Sequence, residues 1–331
     1  MSTLWNHEHL QFLQSEEWRQ FQLSYGKECL VIPLPDVSVT AVKYKISFGF
    51  SYWFILRGPH THKTVSHTEA KTILNTIRTE IKKVDPRAVF FRFEPTTDLD
   101  TDSWKHVREA YMQSGAKKVS YIHPIATRLI DTTASEESLL KDMSDSTRRN
   151  IAVASRRGIV VTKENTPEGF EAFWQMLGAM SKRRNVHLHP RKFYESVFNR
   201  CNASQNTSDI QASIYVARFE GTPIASSLII HYKGLATYFY GAQGDIHTDK
   251  KAQYALRWFV ITDAKKLGCH TVDFFGENPV EKTDPDYRVA WEGFTQFKTG
   301  WGGTLVRFPG TFEYSIRPFL YFLLRILRRV H

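Results

Sequence analysis

The chain has 331 residues, 42% of them hydrophobic, with a net charge of +10 and a pI of about 9.4. That length suits about two domains. Its cysteines, Cys29, Cys201 and Cys269, are scattered and odd in number, which excludes a disulfide-framed scaffold and a cysteine-based metal site. The basic balance suits RNA, acidic lipid or a phosphorylated substrate, and equally an ordinary soluble basic protein.

Met1 to Leu10 is polar, so no signal peptide is expected and a reducing compartment fits the thiols. The sequons at Asn202 and Asn206 then mark only a polar loop. Ser15 followed by Glu16 and Glu17 predicts a short helix to Tyr25, ended by Gly26. Cys29–Leu34, Ala41–Phe50 and Tyr52–Leu56 predict strands, with a turn at Arg57-Gly58-Pro59. Ala70, Ile73, Leu74, Ile77 and Ile81 form one stripe of a helix over 68–84. Ala88–Phe93 reads as a buried strand, Trp104–Ser114 as a helix and Lys118–Ile122 as a strand.

A second cycle begins at Ser135. Helices are predicted over 136–143 and, strongly basic, over 145–157, followed by a strand at 159–162 and a helix over 167–183. A meander follows at 213–218, 224–232 and 236–240, turned at Glu220-Gly221 and Lys233-Gly234. A helix over 250–267 and a strand over 271–275 complete the cycle. The alternation gives an α/β class, mixed rather than strictly parallel. The repeated element order suggests a duplicated fold, and no run reaches the roughly 18 apolar residues of a membrane span.

Nucleophile-elbow, zincin and phosphate-loop signatures are absent from the sequence. His60, His62 and His67 are close, but no carboxylate or thiolate joins them, so no metal is expected. Near the carboxyl end, Phe294, Phe297 and Trp301 surround Lys298, and Gly300, Gly302 and Gly303 follow. Taken alone, the stretch reads as a strand with Phe294 and Phe297 in the core, a surface lysine and a glycine bulge.

The order Phe297-Lys298, two residues, Trp301, Gly302-Gly303 resembles the C-terminal signature of the FemABX peptidyltransferases, which move amino acids from aminoacyl-tRNA to the peptide of a cell-wall precursor. Pro124–Asp131 with Leu139–Val161 is similar to that family's domain-crossing segment. Tyr238-Phe239-Tyr240-Gly241-Ala242 and Val272-Asp273-Phe274-Phe275-Gly276 resemble two of its strands. No helical arm interrupts the second half, which makes the chain similar to the compact branch. The resemblance implies two GNAT-like domains, placed at 1–132 plus 306–331 and at 133–305, the C-terminus completing the first.

It further implies site residues. Lys298 matches the lysine near the reacting ester. Arg92-Phe93-Glu94-Pro95 resembles the family's Arg-Phe-Asp-Pro, with Glu94 replacing aspartate in the cleft. Arg183 to Tyr194 resembles a loop contacting nucleotide diphosphate, with Arg183, His189, Arg191 and Tyr194 as substrate contacts beside Tyr238 and Tyr240. Where the family has a diphosphate-binding lysine near Trp18, this chain has Gln20 and Gln22.

The implied reaction is aminolysis of an activated ester, needing positioning, anion stabilisation and proton movement. Lys298 is expected to stabilise the oxyanion or hold phosphate, and Glu94 to orient the amine or take its proton. Arg148, Arg149, Arg156 and Arg157 are expected to meet the tRNA backbone. Aminoacyl-tRNA is the co-substrate and no cofactor is implied. The C-terminal run from Phe319 to Leu327, with Arg317, Arg325 and Arg328, suits either packing on the first domain or lying on an acidic membrane. The expected location is the cytoplasm, extending in the latter case to the membrane's inner face. A GNAT-like acyltransferase using acyl-CoA remains an alternative, though it predicts an Arg-x-x-Gly-x-Gly/Ala loop that the sequence lacks. A basic RNA-binding protein is another.

Overall fold

A computed structural model of the chain describes residues 12–35, 37–61, 65–97, 103–203 and 209–327. The first half runs through α1 (Glu16–Ser24), β1 (Cys29–Ile32), β2 (Val39–Lys45), β3 (Ser51–Ile55), the two-residue β4 (His60–Thr61), α2 (His67–Val84), β5 (Ala88–Phe93), β6 (Thr96–Thr97), α3 (Ser103–Gln113) and β7 (Lys117–Val119). Local chemistry sets the helix starts. The Ser15 hydroxyl accepts the Trp18 amide at 3.0 Å, and Ser66 with Glu69 forms a reciprocal capping box at α2.

The second half follows as β8 (Ala126–Asp131), α4 (Glu136–Asp142), α5 (Asp145–Arg156), β9 (Ile159–Lys163), α6 (Pro167–Arg184), α7 (Arg191–Ala203), β10 (Ile210–Phe219), β11 (Thr222–Tyr232), β12 (Leu235–Gln243), α8 (Ala252–Lys266), β13 (Thr271–Asp273), α9 (Glu292–Thr299), β14 (Thr304–Arg307), β15 (Thr311–Ser315) and α10 (Pro318–Leu327).

The fold is mixed α/β, with two sheets of matching layout. One has the order β1-β2-β3-β5-β15-β7 and the other β9-β10-β11-β12-β13-β8-β14. Each lays out a meander, then a parallel strand reached through a helix (β5 beside β3, β13 beside β12), then two antiparallel strands. Two strands depart from the chain order: β8, the direct continuation of the first half, lies beside β13, and β15, which follows the second sheet's last strand, lies beside β5, so the ends of the halves are exchanged. The sequence reading closed the first domain after 132, but β8 already pairs in the second sheet. The chain therefore leaves the first sheet after β7 and returns to it after β14. The two crossings touch where the Phe308 amide donates to the Ile125 carbonyl at 2.7 Å.

Three cores hold this arrangement. Leu74, Ile77 and Ile81 of α2 pack on Phe91 and Phe93. Leu256, Val260 and Ile261 of α8 pack on Tyr215 and Val272. The third core lies between the halves and joins Phe12, Trp18, Phe21 and Phe54 to Phe173, Phe193 and Tyr194. Burying each such aromatic is worth about 2 kcal/mol, so the halves are fixed against each other.

Two helices differ from the sequence reading. Residues 292–299 form α9, not a strand. A spacing of three would put Phe294 and Phe297 on opposite faces of a strand, whereas Phe294, Phe297, Lys298 and Trp301 follow the helical period. Residues 191–203 form α7, which takes in the end of the Arg183–Tyr194 loop resemblance and Asn202 of the expected polar loop, and its Phe193, Tyr194, Val197 and Phe198 are buried.

Candidate active site

The seam between the halves carries a buried polar cluster. Glu94 follows β5, Arg57 follows β3, His123 lies on the first crossing and Thr311 opens β15. Glu94 is only 2% exposed. Its Oε1 accepts the His123 amide and the Thr311 hydroxyl, each at 3.1 Å. Its Oε2 lies 2.7 Å from His123 Nδ1 and 3.5 Å from the Arg57 amide. Burial alone would raise the Glu94 pKa. The adjacent His123 charge and hydrogen bonds, with Arg57, outweigh it and bring the pKa down to about 2. The His123 ring sits between Phe54 of the first half and Phe275 of the second, with centroids 6.0 and 6.3 Å away. The Arg57 guanidinium stacks on Phe308 at 4.0 Å and donates to the Pro124 carbonyl at 2.7 Å.

Phe275 belongs to a turn with unusual backbone. Its φ is 46° and that of Gly276 is 102°, a region that disfavours side chains. A Cβ on Gly276 would lie 2.8 Å from Pro124. The turn is stitched from several sides. The Lys298 ammonium donates to the carbonyls of Phe274, Phe275 and Gly276, and its Nζ stands 3.8 Å from the centre of the Phe294 ring. Asp273 Oδ1 accepts the Phe275 amide at 2.8 Å and also the Thr127 hydroxyl. Arg128 makes a two-pronged pair with Glu277, both contacts at 2.8 Å, and reaches the carbonyls of Gly302 and Gly303 at 3.1 Å.

Lys298 is thus a buried turn anchor rather than a surface lysine, and its three donors are engaged by backbone. Burial pushes its pKa well below the ordinary lysine range, and the charge of Arg257 adds to this. The three carbonyls favour the charged form in opposition. Arg257, itself buried, is held between Tyr238 and Phe274 at 4.2 and 4.3 Å.

The expected substrate contacts divide. His189, Tyr194 and Tyr240 do come together: His189 stacks on Phe193 at 4.3 Å, and Tyr194 meets Tyr240 edge-on at 4.9 Å. Burial, then the charges of Lys27 and His123, lowers the His189 pKa. Tyr238 does not join them. The register of β12 slips, so that Leu228 pairs with Tyr240 and Ile229 with Tyr238. This bulge at Phe239 turns the two tyrosines into different cores, Tyr238 with α8 and Tyr240 with the inter-half cluster. Arg183 is bound to Gln243, Gly244 and Asp245. Arg191 is paired with Glu171 and Glu195 at 2.8 and 2.6 Å.

The four arginines around α5 also divide. Arg148 caps α4 through the Leu140 and Met143 carbonyls and pairs with Asp145. Arg157 binds Asp249. Arg149 and Arg156 are exposed and have no partner among the described residues; seven apart, they share one helix face. His60 Nδ1 rests 3.0 Å from the Thr96 hydroxyl, and His62 lies outside the described residues. Sequence reasoning missed Arg57, His123, Arg128, Arg257 and Glu277. His123 directly precedes the crossing motif, so its position beside Pro124 was its one signal.

The model of the FemAB family matches residues 4–205 and 200–329. A Lipid II:glycine glycyltransferase of Staphylococcus epidermidis is 19% identical over 317 residues, covering 76% of this chain and 75% of that protein. One of Staphylococcus aureus is 20% identical over 326 residues, with 78% and 76% covered. The crystal structure of FemX superposes with a TM-score of 0.73 at 16% identity, covering 94% of each chain.

Proposed function

Because the chain belongs to the FemAB family, we propose that it transfers an aminoacyl group from aminoacyl-tRNA to the peptide of a lipid-linked peptidoglycan precursor. The family match from residue 4 to residue 329 carries this reading, and the names of the relatives favour the lipid-linked acceptor. The acceptor amine attacks the ester carbonyl, an amide forms, and the ribose hydroxyl leaves. The ester is already activated, so no covalent enzyme intermediate is needed. Lys298 serves this chemistry by fixing the turn that carries Phe275 on the seam. The test is incubation with mixed charged tRNAs and either lipid-linked or nucleotide-linked precursor, then weighing of the product. No mass gain with any tRNA would end the proposal.

The free pair Arg149 and Arg156 is assigned to the tRNA backbone. Each phosphate that a protein ceases to neutralise lowers the salt slope of binding by about 0.7–0.9. Arg149→Ala with Arg156→Ala should therefore flatten the slope by about 1.5, while Arg148→Ala acts mainly on stability. A slope unchanged in the double variant would return both arginines to solvent.

The lipid-linked acceptor gives α10 a use. Tyr321 anchors the helix against Phe90, and Phe319, Phe322, Leu323, Ile326 and Leu327 are exposed. Ile46 and Phe50 pack in the same cluster as Leu320 and Leu324, which brings Phe48, 91% exposed at its hairpin tip, beside them. Arg325 lies 6.0 Å from the Tyr321 ring, and Arg317, just before the helix, donates to the Pro86 carbonyl. No helix among the described residues is long and apolar enough to cross a membrane; the surface suits lying on one. Phe319→Ser with Ile326→Ser should lower co-sedimentation with phosphatidylglycerol vesicles at least tenfold, at about 2 kcal/mol for each buried side chain. Equal sedimentation of the variant and the parent would show that α10 does not meet lipid.

A further inference from the structure

We infer that His123, held by Glu94, takes the proton from the attacking amine; this rests on the transfer reaction proposed above. Glu94 itself is badly placed to do so. Both its oxygens are occupied by His123, Thr311 and the Arg57 amide, and the residue is 2% exposed. What the carboxylate does is orient the ring. With Nδ1–H donated to Glu94, the lone pair lies on Nε2. That nitrogen has no hydrogen-bond partner among the described residues, and the side chain keeps 18% of its surface exposed.

The ring also stands on the seam between the halves, where a substrate held by one half would meet a substrate held by the other. Phe54 comes from the first half and Phe275 from the second. The charged and titratable groups around the ring are Glu94 and Arg57 on its own side, His189 across the seam, and Asp273 and Lys298 behind Phe275.

The step balances without a co-reactant. The neutral acceptor amine bonds to the ester carbonyl carbon, and Nε2 accepts the proton this nitrogen sheds. As the C–O bond to the ribose breaks, the imidazolium returns that proton to the leaving oxygen. Amide, free ribose hydroxyl and neutral His123 remain. His123 is the catalytic residue and Glu94 a positioning residue.

The closing experiment compares wild type with His123→Asn, His123→Ala and Glu94→Gln. In His123→Asn the amide nitrogen replaces Nδ1 and keeps the bond to Glu94, while the Nε2 acceptor is lost. A fall in kcat of about a hundredfold or more is expected, the range of a general base, with KM little changed and the acid limb of the pH–rate profile gone. Added imidazole should partly restore His123→Ala. Nitrogen NMR of histidine-labelled protein should show His123 protonated at Nδ1, a preference weakened in Glu94→Gln. Protonation at Nε2 instead, or a His123→Asn variant that turns over within threefold of wild type, would overturn the inference alone. A wild-type protein that forms no product with any charged tRNA would overturn both this inference and the functional reading.

Discussion

Lys298→Met is expected to cost about 2–4 kcal/mol of stability and to slow transfer about a hundredfold. From the sequence, a methionine would keep the stem packing of the lysine and leave the fold intact. The structure changes that expectation. Three carbonyls, those of Phe274 and Gly276, which are buried, and that of the half-buried Phe275, receive this one ammonium as donor. Each carbonyl left unpaired costs about 1–3 kcal/mol, and relief of the buried charge offsets part of that sum. The turn they belong to already holds Phe275 at a φ of 46°, a conformation that persists only when its surroundings enforce it. Once the turn relaxes, the Phe275 wall of the His123 site moves with it, and small displacements at a reacting centre cost about a hundredfold. Lys298→Arg should recover only part of the loss, since a planar fork does not reproduce three converging donors. Chemical denaturation and the transfer rate, measured on the same preparation, check this. A methionine variant as stable and as fast as the parent would remove Lys298 from the site altogether.

The sequence showed the elements better than it showed the site. Capping residues and apolar periodicity located α1, α2, α6 and α8, because each signal is local. The exchange of β8 and β15 is not local: the resemblance placed 306–331 with the first domain and read Pro124–Asp131 as a crossing segment, but nothing in either stretch names the strand beside which it lies. Two apart on one strand, Tyr238 and Tyr240 would share a face by simple alternation, and the bulge at Phe239 that separates them is marked by no turn residue. Glu94 and Lys298 were legible through a family pattern that names residues but not their partners. What Glu94 touches is His123, 29 positions away, and what Lys298 touches is backbone. The helical period of Phe294, Phe297, Lys298 and Trp301 was present in the sequence and outweighed by the glycines that follow it.

Arg128 extends the same reasoning to the exchanged strand. It lies on β8, and the segment from Phe274 to Glu277 runs alongside, with the Phe274 amide on the Arg128 carbonyl and the Glu277 amide on that of Ala126, both at 2.9 Å. The Arg128 side chain then closes on Glu277 and on the carbonyls of Gly302 and Gly303. Arg128→Met should cost about 3–5 kcal/mol, because it strands the Glu277 carboxylate, 3% exposed, without its counter-charge. The Thr299 hydroxyl, 3.1 Å from Glu277, is too little to replace it. Adding Glu277→Met to Arg128→Met should recover most of the stability, since a buried pair exchanged for apolar groups is often neutral. The transfer rate should not recover with it, because the segment carrying Phe275 would keep its backbone bonds to β8 but still lack the side-chain clamp of Arg128. Urea denaturation of the two single variants and the double closes the cycle. Arg128→Met within about 1 kcal/mol of wild type, a loss typical of a surface pair, would mean that the exchanged strand holds the turn through its backbone alone.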